Sequence, residues 1–418
     1  METKPRLSRR DLLRSGSTVM AGAALGGLRL PSVGQTVTRT TGRDVLLCIF
    51  LRGAADGLNI VVPHGEAEYY QRRSTLAIPQ PGQGADAALD LDGFFGLHPA
   101  LDSFKRLYDA QVLAAVHACG SPDPTHSHFD GMDFMERGLP GDRGTFTGWL
   151  GRHLQATAGS NDSPMRAVGL GGSVQTSLRG PVAAVAISSI ANFHLKERQV
   201  DPNVVEAALR ELYGSMGALS GVAGQTFTVL DQIAPRLKPD YAPAPGARYP
   251  NTRLGQMLKE FAQLVKGDLG LEVACADFGG WDTHANQGGV KGAMATLLSE
   301  LGQSLEAVVT DLADHLDRLT IVTMSEFGRR VQENGSKGTD HGHGNCMFVL
   351  GGNVHGGKVH GQWPGLQREQ LYGPGDLQVT TDFRDVLGEI VQARLGNSAI
   401  DQVFPNYQPQ SLGILKSG

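Results

Sequence analysis

The chain has 418 residues, of which 40% are hydrophobic and 56 are glycine, and it carries a formal net charge of −5 at pH 7. That length accommodates one large α/β domain or two smaller ones, and the acidic balance excludes a general nucleic-acid binder. No apolar run reaches the roughly 18 residues that a membrane-spanning helix needs, while the glycine content predicts many loops, where functional sites concentrate.

Residues 1–34 stand apart. Six basic residues against two acidic ones leave this segment at +4, so the remaining chain carries −9. Ser8-Arg9-Arg10-Asp11-Leu12-Leu13 resembles the twin-arginine export signal, an apolar segment runs from Gly16 to Leu28, and Ala21-Gly22-Ala23 has the small residues of a cleavage site. The expectation is a signal segment over 1–34 that engages the twin-arginine export machinery, followed by an exported, periplasmic domain over 35–418 with no stable transmembrane span.

Val45–Leu51 is a continuous apolar run and predicts a buried strand. It ends in Arg52-Gly53-Ala54-Ala55-Asp56-Gly57, a glycine-containing loop bearing an acid. Residues 80–93 predict a loop, 100–110 a helix and 112–118 a second strand; His98 and His117 suit structural hydrogen bonding. Ser127 suits a helix N-cap, with Phe129, Met132, Phe134 and Met135 as the apolar face of the helix that follows. Residues 139–181, rich in Gly, Ser and Thr, predict a long surface excursion. A helix is expected over 202–232, and five prolines in 235–250 predict an exposed linker. Another helix is expected over 252–266 and a strand over 271–277. In 291–318 the residues Met294, Leu298, Leu301, Leu305, Val308 and Leu312 recur at spacings of four and three, the mark of a core-packing helix. Strands over 319–324 and 346–350 follow, and a capped helix begins at Thr381-Asp382-Phe383. Cys48, Cys119, Cys275 and Cys346 lack CxxC spacing and read as buried thiols. Strands alternating with helices, and polar motifs falling just after strands, predict an α/β fold. It is a single large domain with a central, mostly parallel sheet flanked by helices.

Four distant segments each place an acid, an imidazole or a hydroxyl after a strand. They are Asp56; Thr125, Ser127 and His128; Asp282 and His284; and Glu326 with Asp340, His341 and His343. If their strands are neighbours, these loops converge on one edge of the sheet. Clustered carboxylates repel, and a divalent cation removes that cost. Oxygen ligands with some imidazole suit zinc, manganese, magnesium or calcium. Each residue has a plainer use as well: Asp56 in a turn, Asp282 or Ser127 as a helix cap, Glu326 in an ion pair with Arg329 or Arg330.

The motifs LRGAADGLNIVVP at 51–63, FGLHPAL at 95–101, SHFDGMDFMERG at 127–138, GGWDTH at 279–284, TMSEFGR at 323–329, GTDHGHGN at 338–345, GQWPGL at 361–366 and TTDFRDVLGEI at 380–390 span almost the whole chain beyond the leader. Together they resemble the domain-of-unknown-function family 1501 of exported bacterial proteins, which in turn looks like a branch of the alkaline phosphatase and sulfatase superfamily. The resemblance implies an alkaline-phosphatase-like fold and a metal-dependent hydrolase of phosphate or sulfate esters, acting on a small-molecule or polymer-borne anionic ester. It implies Asp56 as first metal ligand, Ser127 or Thr125 as nucleophile, Asp282 and His284 at one metal, and Asp340 and His341 at another. In this reading Glu326 replaces an aspartate of the superfamily, Arg52 or Arg329 clamps the anion, and His128 or His343 protonates the leaving group. The sequence departs from the superfamily in lacking Cys-x-Pro-x-Arg and in setting Asp282 and His284 two apart. The alternative is a non-catalytic exported protein of the same fold that binds an envelope glycan or a partner protein.

Overall fold

A computed structural model describes residues 42–190, 211 and 241–416. The expected signal segment lies outside the described residues, as does the helix expected over 202–232 apart from Glu211.

The described strands are β1 (Val45–Arg52), β2 (Val61–Val62), β3 (Leu89–Asp90), β4 (Gly96–Leu97), β5 (Leu113–Gly120), β6 (Ala167–Leu170), β7 (Val185–Ile187), β8 (Val273–Gly279), β9 (Leu319–Met324), β10 (Asn345–Gly351), β11 (Lys358–His360) and β12 (Thr381–Asp382). Nine form one sheet in the order β11-β5-β10-β9-β1-β8-β6-β7, with β12 also paired to β5; β2, β4 and β3 form a small second sheet. The longer helices are α1 (Asp102–Asp109), α2 (His128–Arg137), α3 (Trp149–Ala156), α4 (Arg253–Lys266), α5 (Ala293–Asp311) and α6 (Phe383–Ala393).

The continuous apolar run of β1 is explained by helices on both faces of the sheet. Its Leu47, Ile49 and Leu51 belong to a core with Phe261 of α4 and Leu298, Leu301 and Leu305 of α5. The alternate residues Leu46, Cys48 and Phe50 belong to a second core with Trp149 and Leu150 of α3 and Leu387 and Ile390 of α6. The period-2 pleat divides one strand between two layers.

Strand pairs in the large sheet are parallel except at β10, which runs antiparallel to both β9 and β5. That reversal positions the site. The chain leaves β9 at its carboxyl end and enters β10 at the same edge, so residues 325–344 stay beside the loops that leave β1, β5 and β8.

Most expected elements stand within one or two residues of their predicted bounds, and all four cysteines are free and buried. His117 bonds the Val61 carbonyl and His98 the Gly289 carbonyl, both structural as expected. The excursion expected over 139–181 is interrupted by α3 and β6, whose Trp149, Leu150, Leu154 and Val168 have no exposed surface; the segment between them is turns and loop. Two of the glycines that suggested a loop serve close packing. A Cβ at Gly148 would sit 2.1 Å from the Thr176 carbonyl oxygen, and one at Gly151 would sit 2.0 Å from that of Arg179. Phe129 also departs from expectation: Phe134 and Met135 are buried, but Phe129 is 87% exposed.

Leu301, fully buried in the first core, is expected to report that packing. Leu301→Ala should lower the unfolding free energy by about 2–5 kcal/mol in denaturant titration; a loss below about 1 kcal/mol would contradict the packing described.

Candidate metal centre

Arg329 draws three loops together. Its side chain has no exposed surface. It donates from Nε to the Ala54 carbonyl at 2.7 Å, from Nη1 to that of Thr339 at 2.8 Å, and from Nη2 to Gly53 at 2.6 Å, Trp281 at 3.2 Å and the Asp282 carboxylate at 2.7 Å. The loops after β1, after β8 and before β10 thus share one buried cation. Glycines permit the close approach: a Cβ at Gly338 would lie 2.4 Å from the His284 backbone, and one at Gly342 would lie 2.4 Å from that of Arg329.

On this frame, His128 at the start of α2, Asp282 and His341 bring one ligand atom each within 4.8 Å of one another. His128 Nε2 and His341 Nε2 each lie 3.4 Å from Asp282 Oδ1. His284 Nε2 lies 3.1 Å from the same oxygen and 2.8 Å from His341 Nε2. Zinc–nitrogen bonds of about 2.0–2.1 Å in a tetrahedron place neighbouring ligand atoms about 3.3 Å apart, close to these separations.

The outer nitrogens agree. His128 Nδ1 donates to Glu326 Oε1 at 2.7 Å, His341 Nδ1 to the His126 carbonyl at 2.8 Å, and His284 Nδ1 to Asp340 Oδ1 at 3.1 Å. Each bond fixes the tautomer that leaves an unshared pair on Nε2, the arrangement around metal-ligating histidines. His128 Nε2 is buried and without a hydrogen-bond partner. The unshared pairs of His284 and His341 face each other, and such pairs repel unless a proton or a cation lies between them. Around them stand three carboxylates, Asp282, Glu326 and Asp340. Of these, Asp282 is paired with the Arg329 guanidinium. A divalent cation fits both the donor set and the charge.

Burial is the largest single influence on Asp282 and opposes its ionisation, but the hydrogen bond and charge of Arg329 together with His128 and His284 outweigh it and hold the carboxyl down at about 2. Asn334 and then His284 hold Asp340 low. The Glu326 bond raises His128, whereas burial lowers His341.

Asp282, His284 and His341 stand together, whereas the resemblance implied His341 with Asp340 at a separate metal, and His128, expected to donate a proton, stands among the ligand atoms. Glu326 and Asp340 are placed one step outward, orienting His128 and His284. Glu326 pairs with neither Arg329 nor Arg330; it also accepts from the Gly53 amide at 2.8 Å and from Ser325 Oγ at 3.0 Å. Asp56 stands apart, with both oxygens engaged by Arg73 and Gln287. His343 stacks on Tyr372 with ring centroids 4.4 Å apart, and burial lowers it to about 4. Ser127 caps α2, accepting from the Asp130 amide at 3.4 Å, and Thr125 Oγ1 accepts from the Ser127 amide at 3.1 Å. Arg52 is committed to Asp277 and Glu136. Arg329, saturated by carbonyls, has no donor turned to solvent. Sequence reasoning did not find Arg73, Gln287 or the His126 carbonyl; a buried arginine in a polar run and a backbone acceptor leave no pattern in spacing.

The chain belongs to the family described as "Protein of unknown function (DUF1501)", whose model matches residues 114–394. No curated protein matches it. Among solved structures it is similar to the C-terminal periplasmic domain of EcEptC from Escherichia coli in complex with Zn, at 9% identity and TM-score 0.35 over 77% of each chain. It is similar to a protein in the alkaline phosphatase superfamily from Vibrio parahaemolyticus, at 11% identity and TM-score 0.34 over 85% of this chain and 71% of that one. The Thermus thermophilus alkaline phosphatase aligns at 14% identity and TM-score 0.30 over 69% of this chain and 60% of that one.

Titration calorimetry with zinc is expected to show binding that Asp282→Ala or His128→Ala abolishes and Glu326→Gln weakens about 10–100-fold. Unchanged affinity in Asp282→Ala would place the ion elsewhere. The pH dependence has a fixed sign. Because the proton on His128 is held above its ordinary range, it competes with the metal on the acid side, so affinity should rise from about pH 6 to 8. Affinity that falls over that range would exclude His128 as a ligand.

Proposed function

We propose that the chain is an exported metal-dependent hydrolase of phosphate or sulfate esters. The observation that carries this reading is the convergence of His128 Nε2, His341 Nε2 and Asp282 Oδ1, with His284 beside them, at the carboxyl edge of an α/β sheet. That edge is where open sheets bind ligands. An imidazole-rich donor set suits zinc or manganese better than magnesium or calcium, which prefer oxygen. When bound, the divalent cation supplies Lewis-acid stabilisation of an anionic ester.

The chain's own residues do the rest. Asp282, His284 and Asp340 are about half exposed, so an ester on a small molecule or a polymer can reach the centre. Ser127 stands at the N-terminus of α2, where free amides and the helix dipole favour an anion. In this reading its Oγ attacks the phosphorus or sulfur in line, the bond to the leaving alcohol oxygen breaks as the serine ester forms, and the hydroxyl proton ends on the departing alcohol. Water then cleaves the serine ester to release phosphate or sulfate and restore the hydroxyl. Thr125 holds the Ser127 amide and so shapes the loop. Glu326 and Asp340 hold the His128 and His284 rings in the ligating tautomer. Neutral and buried, His343 does not serve as proton donor, and Arg52, already paired, does not clamp the anion; a cation held by His128, Asp282, His284 and His341 would meet the anion's charge together with the α2 amides. Ser8–Leu13 and the apolar segment after it support delivery to the periplasm by the twin-arginine route, with residues 35–418 as the mature domain. Among the described residues no helix is long and apolar enough to cross a membrane.

Zinc-loaded protein is expected to hydrolyse p-nitrophenyl phosphate or p-nitrophenyl sulfate, and to lose that activity in a chelator. Ser127→Ala should lower kcat at least 100-fold with zinc occupancy unchanged, a loss of about 2.7 kcal/mol or more of transition-state stabilisation. Bound zinc with no turnover on either ester would favour the non-catalytic reading, a protein of this fold that binds an envelope glycan or a partner.

A further inference from the structure

Behind the two ligand-bearing loops lies a second polar network that the proposed chemistry does not use. Asp56 and Arg73 face each other with no exposed side-chain surface on either. Arg73 Nη1 donates to Asp56 Oδ2 at 2.5 Å and Nη2 to Oδ1 at 2.9 Å, a bidentate pair. The other guanidinium donors are taken as well: Nε by the Val331 carbonyl at 3.0 Å, Nη2 by that of Arg330 at 2.9 Å, and Nη1 by Asn59 Oδ1 at 2.7 Å. Gln287 Nε2 donates to Asp56 Oδ2 at 2.6 Å. The Gln287 Oε1 atom accepts from Thr283 Oγ1 at 2.9 Å and Thr339 Oγ1 at 2.7 Å. Thr283 separates Asp282 from His284, and Thr339 lies two residues before His341, so this network adjoins the metal centre.

A carboxylate buried this completely requires a positive partner. A metal ion can supply one, and so can a cationic side chain such as a guanidinium. Here the guanidinium is already in place, with fork geometry that matches the carboxylate. Both oxygens of Asp56 point at N–H donors, so a cation entering there would meet hydrogens and like charge. The contrast with Asp282 is direct. Asp282 Oδ1 also accepts from Arg329 Nη2 at 2.7 Å, but that carboxylate is half exposed and faces three imidazole nitrogens with unshared pairs; both oxygens of Asp56 are fully buried and face only N–H donors.

We infer that the chain binds one divalent cation, at His128, Asp282, His284 and His341, and that Arg73 is a tethered cation that keeps a second ion from Asp56. This rests on the metal reading above and departs from the first-ligand role that family resemblance implies for Asp56.

The test is the metal content of the full chain. Protein saturated with zinc and passed through a desalting column should contain one zinc per chain by plasma mass spectrometry. Two per chain would overturn the inference and leave the hydrolase reading standing; none would remove both. The neutral double variant Asp56→Asn/Arg73→Gln keeps the shapes and removes both charges. It is expected to hold one zinc at saturation, whereas Asp282→Ala holds none; zinc lost from the double variant but kept by Asp282→Ala would make Asp56 the ligand. Should the double variant fail to fold, the wild-type count decides.

Discussion

The structure depends on a buried guanidinium. Removing Arg329 from water costs several kcal/mol unless its donors find partners, and they find them only where the loops after β1 and β8 meet the loop before β10. Four carbonyls and one carboxylate satisfy it. The chain therefore cannot reach its buried state without bringing Gly53, Asp282 and Thr339 together, and the ligand atoms of Asp282, His284 and His341 follow from that. The same contact, with the neighbouring imidazoles, holds the Asp282 carboxyl below its ordinary range. The sequence presented this residue as a clamp for substrate. Its role is internal, and it shapes the site without touching what the site binds.

The second constraint is topological. A parallel neighbour of β9 would require a crossover and would carry residues 325–344 to the far edge of the sheet. The reversed β10 returns them at once, so Glu326 and His341 come from the two ends of one connection. The histidines then divide their nitrogens in a consistent way. Each Nδ1 is spent on a carboxylate or a carbonyl, and each Nε2 is turned inward. Three rings from three loops sharing this arrangement, around a half-exposed carboxylate, is a pattern that a purely structural network does not need.

Much of this was legible in the chain. The apolar run at 45–51 reads as a buried strand and 319–324 as a strand after the long helix, and the spacing in 291–318 reads as a core-packing helix. The convergence of DHGHG, WDTH and SEFG could be read because each follows, or leads into, such a strand. Other features were not legible, for physical reasons. Gly148 and Gly151 look like loop residues because sequence cannot distinguish a glycine that bends from one that lets two backbones touch. Whether a carboxylate ligates a cation or orients a histidine depends on about 3 Å of reach, the length of one hydrogen bond, and spacing in the chain does not register it for Glu326, Asp340 or Asp282. Asp56 follows its strand as a metal ligand would, and only the fold shows that Arg73, 17 residues on, has taken the position of a counter-charge.

The central claim is that one cation site lies between α2, the WDTH loop and the DHGHG loop. The most direct test is an anomalous difference map from zinc-loaded crystals collected at the zinc edge. The account predicts a single peak per chain, about 2.0–2.2 Å from His128 Nε2, His341 Nε2 and a carboxylate oxygen of Asp282. A map with no peak there, or with its peak beside Asp56, would contradict it.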